Sequence, residues 1–205
     1  MVVLYPEEIK QQEILQIIKE VLGQKYFKIE VTEFILRESV NSVITCTFSS
    51  SGADEKPLQI EGKGVGMVDA LYTGLMDEMS KKYESLSDLI FEDFSVNVKL
   101  QGNKNTRLLH SPVEICLVIV GPKQKRFYFR AQSRSIAMAA VKVVSNAVEY
   151  LVNAELAVVE LHKSIFDASN RRREDLKKRY TSQLSEIVCV TSYEKVIKNL
   201  DKGIY

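Results

Sequence analysis

Two spacings of apolar residues alternate along the chain, and the places where one gives way to the other mark its elements. From Pro6 to Leu22 the positions Ile9, Ile14, Ile17, Ile18 and Val21 recur at helical spacing. Pro6 suits a first turn and Gly23 a stop, which predicts one amphipathic helix. Between Lys25 and Arg37 the period is two, with Phe27, Ile29 and Val31 alternating with Lys28, Glu30 and Thr32. Over Ser42 to Phe48 the residues Ile44, Cys46 and Phe48 share a face, so both segments are predicted strands. A polar loop, Ser49 to Lys56, precedes a short strand around Leu58 and Ile60 that runs into Gly62-Lys63-Gly64-Val65-Gly66. From Met67 the spacing is helical again: Val68, Leu71, Tyr72, Leu75, Met76 and Met79 form one stripe. Asp69 lies in the first turn, where the helix dipole favours an acid.

A second round follows in the same order. Phe94, Val96, Val98 and Leu100 alternate with polar residues, a polar loop runs from Gln101 to Pro112, and Val113 to Val120 is almost unbroken apolar, as in a strand covered on both faces. The turn Gly121-Pro122-Lys123-Gln124 leads to a strand over Arg126 to Arg130 and a helix from Ser135. That helix is apolar nearly all round from Ile136 to Leu161, which predicts burial on more than one side and a subunit interface that uses this helix or the neighbouring sheets. Ser164 to Val190 is polar and helical in character, and a last helix opens at a capping box, Thr191-Ser192-Tyr193-Glu194. The expected fold class is α+β: two strand-strand-helix repeats forming sheets covered by helices, with an N-terminal helix and a C-terminal helical extension. The boundaries are 1–23, 24–163 and 164–205.

Composition narrows the chemistry. The 205 residues are 45% apolar and 27% charged, with 28 basic and 27 acidic side chains, so a formal charge of +1 supplies no global field for nucleic acid or an anionic membrane. Cys46, Cys116 and Cys189 lie far apart inside apolar runs with no CxxC pair, which reads as reduced thiols in a cytoplasmic protein. No secretory leader is visible and no window of 18 apolar residues is free of charge, so no membrane span is expected. His110 and His162 have no further ligand at metal spacing, so neither a metal nor a cofactor is expected. No GxSxG, HExxH, P-loop or kinase signature appears, and the chain is not expected to be an enzyme.

The glycine run between strand and helix is the most informative feature. Its glycines permit close backbone approach and leave the first amides of the helix for an anion, although the spacing fits neither a dinucleotide fingerprint nor a P-loop. A bare strand-to-helix turn would need the same glycines. The segment Gly64-Val65-Gly66-Met67-Val68-Asp69-Ala70-Leu71-Tyr72 resembles the G-x-G-P-V-D-A-L-[YF] motif of the C-terminal regulatory domain of 2-isopropylmalate synthase, the LeuA allosteric or dimerisation domain. Met67 replaces that motif's proline, and the resemblance covers about Lys25 to Val152. In the second copy Ser135 stands at the family's serine, Gln132 and Arg134 at its two glycine positions and Ala137 at its aspartate, so one of two pseudo-equivalent sites is degraded.

The resemblance implies a regulatory module without the synthase barrel, a homodimer, a small amino-acid ligand such as leucine or isoleucine, and a partner enzyme on another chain. For such a ligand the candidate residues are Gly64, Val65 and Gly66 through their amides, Asp69 for an ammonium, and Tyr72 with Val68 and Leu71 as apolar wall. Asp69 equally suits a helix-capping role. The alternative is nucleic-acid or protein docking by Arg171, Arg172, Arg173, Lys177, Lys178 and Arg179, six cations with two acids in nine residues. These cations face several directions and only Tyr180 offers a stacking ring, which argues against nucleic acid. The strand and helix order also occurs in double-stranded-RNA-binding domains, but the lysines those place at the final helix's start are replaced here by Arg134-Ser-Ile-Ala-Met.

Overall fold

The structure, a computed structural model, describes residues 6–38, 44–51, 57–98 and 112–203. Helix α1 (Pro6–Leu22) leads into two copies of one unit, each of three antiparallel strands and a helix. The first contains β1 (Glu30–Glu38), β2 (Ile44–Ser51), β3 (Pro57–Gly64) and α2 (Met67–Ser80). The second contains β4 (Ile90–Val98), β5 (Val113–Val120), β6 (Arg126–Ser133) and α3 (Ile136–Asn170). Both sheets keep chain order, β1-β2-β3 and β4-β5-β6, so every connection is a hairpin and each helix returns over its own sheet. The α+β class and the repeat stand, with three strands per unit. The loops expected at 49–56 and 101–112 lie largely outside the described residues, as does the face assigned to Ile44, Cys46 and Phe48 and the position of His110.

The two units agree in detail. Their strands are nine, eight and eight residues long in both. The first pair of each sheet carries an irregularity at the same point, between Val31 and Glu33 and between Phe91 and Asp93. β1 starts at Glu30, five residues later than the alternation from Lys25 implied. Lys25 closes a 3-10 turn, and Phe27 gives its backbone amide and carbonyl to Asn153 of α3 instead of to a strand.

α3 is the axis of the core. Its residues from Ala139 to Leu161 are mostly buried, packed by β5 and β6, by α1 and α2, and by the C-terminal helices α4 (Glu174–Ile187) and α5 (Tyr193–Asp201). By length and composition α3 is apolar enough to cross a membrane, yet its apolar surface is covered by its own chain. The all-round apolar character therefore has an intramolecular cause: six neighbouring elements and not a subunit contact take up that surface. Residues of α1 (Ile14, Ile18) and of the C-terminal helices (Ile187, Val196) belong to the same core.

Two details of the C-terminal third depart from expectation. The polar helix is not continuous: α3 runs on to Asn170, and the chain reverses at Arg171–Arg173 before α4. Arg172 takes a left-handed φ of 54°, while the amides of Arg172 and Arg173 reach back to the carbonyls of Ser169 and Ala168, the hydrogen-bond pattern that closes a helix end. Glu174 and Asp175 then favour the start of a new helix. The capping box at Thr191 is not made. Ser192 is the N-cap of α5, and its hydroxyl donates to Asp88 across the fold instead of capping, while the buried Thr191 hydroxyl has no partner among the described residues.

Asp88 also receives Lys195 at 2.6 Å, and Asn199 donates to Glu84 at 2.9 Å, so α5 is pinned to the turn between α2 and β4. Although burial works against the charge, hydrogen bonds from Lys195 and Ser192 hold the Asp88 carboxyl below its ordinary value of 3.8. A lowered acid stabilises the folded state above that ordinary value, and its contribution is lost as the pH falls through the lowered one. Asp88→Ala is accordingly expected to speed amide exchange over Tyr193–Asp201 at neutral pH while α3 stays protected. Equal protection of α5 in both proteins would show that this contact holds nothing in place.

Candidate functional site

The turn from β3 into α2 owes its shape to glycine. Gly62 and Gly64 lie on β3 where the backbone of α2 passes directly over the strand. A Cβ on Gly64 would come within 2.6 Å of the Ala70 nitrogen, one on Gly62 would overlap the Ala70 carbonyl, and one on Gly74 of α2 would lie 2.7 Å from the Gly62 Cα. These three glycines let strand and helix touch backbone to backbone. Gly66 differs: it is the N-cap of α2 in an extended conformation, with nothing within 4 Å of its missing Cβ. Val65, 86% exposed, donates its amide to the Asp69 carboxylate at 3.0 Å, so Asp69 closes the turn on itself.

Of the five predicted ligand residues, Gly64, Val65, Gly66 and Asp69 sit together in the turn, committed to different degrees, while the Tyr72 ring packs away on the second unit. Gly64 belongs to the packing contact, the Val65 amide and Asp69 are bonded to each other, and the space over Gly66 is open. Val68 and Leu71, expected as pocket wall, are buried in the core. Tyr72 packs its ring on Phe91 with centroids 5.4 Å apart, and its buried hydroxyl has no hydrogen-bond partner among the described residues. Burial pushes its ionisation well above the usual phenol range.

The second unit shows what replaces the glycines. Gly64 pairs with Ile44 at the end of its sheet, and Ser133 pairs with Val113 at the same place in the other. The equivalents of Gly62, Gly64 and Gly66 are therefore Ala131, Ser133 and Ser135. Gln132 and Arg134, assigned to the glycine positions from the motif, fall one residue out of register. Small residues persist where helix crosses strand, and the cap is made in the opposite sense. In the first unit the side chain at the third helical position, Asp69, accepts from the residue before the cap; in the second the cap itself, Ser135, accepts the Met138 amide at 3.4 Å. Gln132 bonds instead to Glu114 at 2.7 Å.

Residues 8–152, from the second residue past the start of α1 to the middle of α3, match the LeuA allosteric (dimerisation) domain. The chain belongs to that family. The match takes in α1 as well as both units, and it is to a regulatory domain and not to a catalytic one. No curated protein matches the chain. As a LeuA domain it carries no group of three or more His, Cys, Asp or Glu side chains able to hold a metal among the described residues.

Alternation of apolar residues in β4 predicted a half-buried strand; the structure leaves its apolar face uncovered. α2 lies over β3 and β2, and α3 over β6 and β5, so the edge strands β1 and β4 project beyond their helices. Phe94, Val96 and Val98 are exposed although their cross-strand partners Leu117, Ile115 and Val113 on the same face are buried. Leu36 on β1 is exposed in the same way opposite the Gly62 position. Sequence alone does not show which strand of a sheet a helix fails to reach, so this surface has no signature in the chain.

The basic segment is largely self-neutralised. Arg171 pairs with Asp167 at 2.9 Å, Arg173 makes a two-pronged pair with Asp175, and Lys177 lies 3.9 Å from Glu174. Arg172 and its neighbours stand in a turn and Lys178 and Arg179 on α4, so the six cations do not converge on one face. Asp175 is held down to about 2 by its hydrogen bond from Arg173.

Proposed function

We propose that this LeuA domain is a non-enzymatic regulatory or dimerisation module of the cytoplasm, working as a homodimer whose contact is built on the overhanging apolar faces of β4 and β1. The observation that carries the reading is the row Phe94, Val96 and Val98, which continues the inner face of the sheet past its covering helix. Burying such a side chain contributes roughly 1.5 to 3 kcal/mol, so a second copy laid over both edge strands gains enough to hold a dimer. The unpaired thiols of Cys116 and Cys189 fit a reducing compartment.

Light scattering on the eluting protein is expected to give twice the 23.3 kDa chain mass, and Val96→Asp to give the monomer mass with an unchanged fold. A wild-type monomer at about 100 μM, a concentration at which even weak self-association shows, would remove the dimer.

The finer reading is that a branched-chain amino acid or related metabolite, leucine-like in size, binds at the Gly64–Asp69 turn and alters how the module engages a separate enzyme. Its support is the open space over Gly66 and the unpartnered Tyr72 hydroxyl one helical turn beyond Asp69. At 100 times its dissociation constant such a ligand adds about 2.7 kcal/mol of stability, or roughly 5 to 11 °C of melting temperature for a chain of this length. Leucine, isoleucine, valine and their 2-oxo acids are the compounds to screen. Gly66→Arg fills the space without touching the fold and is expected to abolish the shift; no shift with any of them sinks the ligand reading and leaves the dimer.

A further inference from the structure

α1, β6 and α3 line a cleft of about 360 Å³, in the range of small-molecule sites. Its walls include four rings, Tyr26, Tyr128, Phe129 and Tyr150, and two carboxylates, Glu149 and the Glu8 that pairs with Arg130. We propose that this cleft binds a small organic ammonium compound with a flat or apolar body, its cation on Glu149 and its body between the tyrosine rings.

Two polar groups there are uncommitted. Glu149 accepts one hydrogen bond, from the Ile29 amide at 2.6 Å, which leaves its other oxygen without a donor among the described residues. The Tyr150 hydroxyl, on a side chain only 3% exposed, has no partner there at all. A buried hydroxyl without a partner costs stability, and an ammonium entering the cleft can donate to the free Glu149 oxygen. The ring faces add cation–π attraction, which strengthens away from water. Burial pushes the Glu149 carboxyl up, against the Ile29 amide and Lys28 and Lys19, so a cation beside it restores the charged form that burial disfavours.

The walls are also fixed in place. Gln11 of α1 makes both amide bonds to the backbone of Tyr128, at 3.0 and 2.9 Å, and Glu8 holds Arg130 at 2.7 Å. These contacts prop α1 against β6 so that the space does not collapse, and the paired Arg130 presents little net charge to repel a cation. Lys19 stands exposed at the rim and leaves the interior to Glu149.

Calorimetric titration with tyramine, phenethylamine and cyclohexylamine, each against its uncharged alcohol counterpart, tests this on the full chain. At least one amine is expected to bind, with the matching alcohol about tenfold weaker or worse. Glu149→Gln, which keeps the acceptor for Ile29, is expected to remove that preference. Tyr150→Phe, which keeps the ring in the wall, is expected to raise the melting temperature because the orphaned hydroxyl is gone, and to leave the preference for amine over alcohol in place. Gly66→Arg, at the glycine turn, is expected to leave amine binding unchanged, so failure here and failure of the turn ligand are read separately. Equal affinity for amine and alcohol, no binding by any of the three amines, or an affinity indifferent to Glu149→Gln overturns the assignment.

Discussion

Gly62→Val is expected to lower the melting temperature by roughly 6 to 12 °C, from overpacking of about 3 kcal/mol at 2 to 4 °C per kcal/mol for a chain of this length. The cost is high because the atoms in the way are backbone. A side chain at Gly62 meets the carbonyl of Ala70 and the Cα of Gly74, and neither can move unless the whole of α2 lifts from β3. Lifting it uncovers Leu71 and Leu75, which are buried against the sheet and α3. Gly66→Ala is the internal comparison: its Cβ enters open space and its backbone is extended, so it is expected to stay within about 0.5 kcal/mol of the parent. If both variants melt alike, the close approach of β3 and α2 is not a feature of the protein in solution.

Asn153→Leu is expected to cost about 3 kcal/mol in urea unfolding, although the new side chain is apolar and nearly the same size. Asn153 is fully buried on α3, and its amide accepts from the Phe27 N–H at 2.8 Å and donates to the Phe27 carbonyl at 2.8 Å and to the Glu149 carbonyl at 2.7 Å. One side chain thereby stands in for a missing strand neighbour and satisfies the backbone of the segment that joins α1 to β1. Leucine orphans the Phe27 N–H and carbonyl, each at about 1 to 3 kcal/mol. A loss of unfolding free energy of less than about 1 kcal/mol, or unchanged exchange of the Phe27 amide, would show that water takes over both bonds.

What the chain disclosed followed the range of the interaction. Helices α1, α2 and α3 declare themselves through apolar spacing because one stripe faces one core, and the hairpin strands do so through alternation. Even the glycine turn and its regulatory family are visible, since tight backbone contact needs glycine at fixed spacing. Where reading failed, the cause was a contact between distant residues. Asn153 looks like a polar interruption of an apolar helix until Phe27, 126 positions away, supplies its partner. Ser192 looks like part of a capping box until Asp88 takes its hydroxyl. The counterpart of Gly64 is Ser133 and not its neighbour Gln132, because that position is set by pairing with Val113 across the sheet. The uncovered face of β4 and the cleft behind Glu149 depend on how far helices reach, which local pattern does not encode.

The central place of α3 bears on how the chain is made. α1 buries its apolar face on α3 and β6, which are synthesised after it, so it leaves the ribosome with that face still bare, whereas α2 already has β3 and β2 to lie on. At about 5 to 20 residues per second, α1 waits roughly 7 to 30 s for the end of the helix it needs. During that interval the nascent chain presents Ile14 and Ile18 to whatever passes. A chaperone that holds short apolar stripes is the expected companion of this protein at birth, and crowded expression without one is expected to yield aggregate from a sequence whose finished fold is well covered.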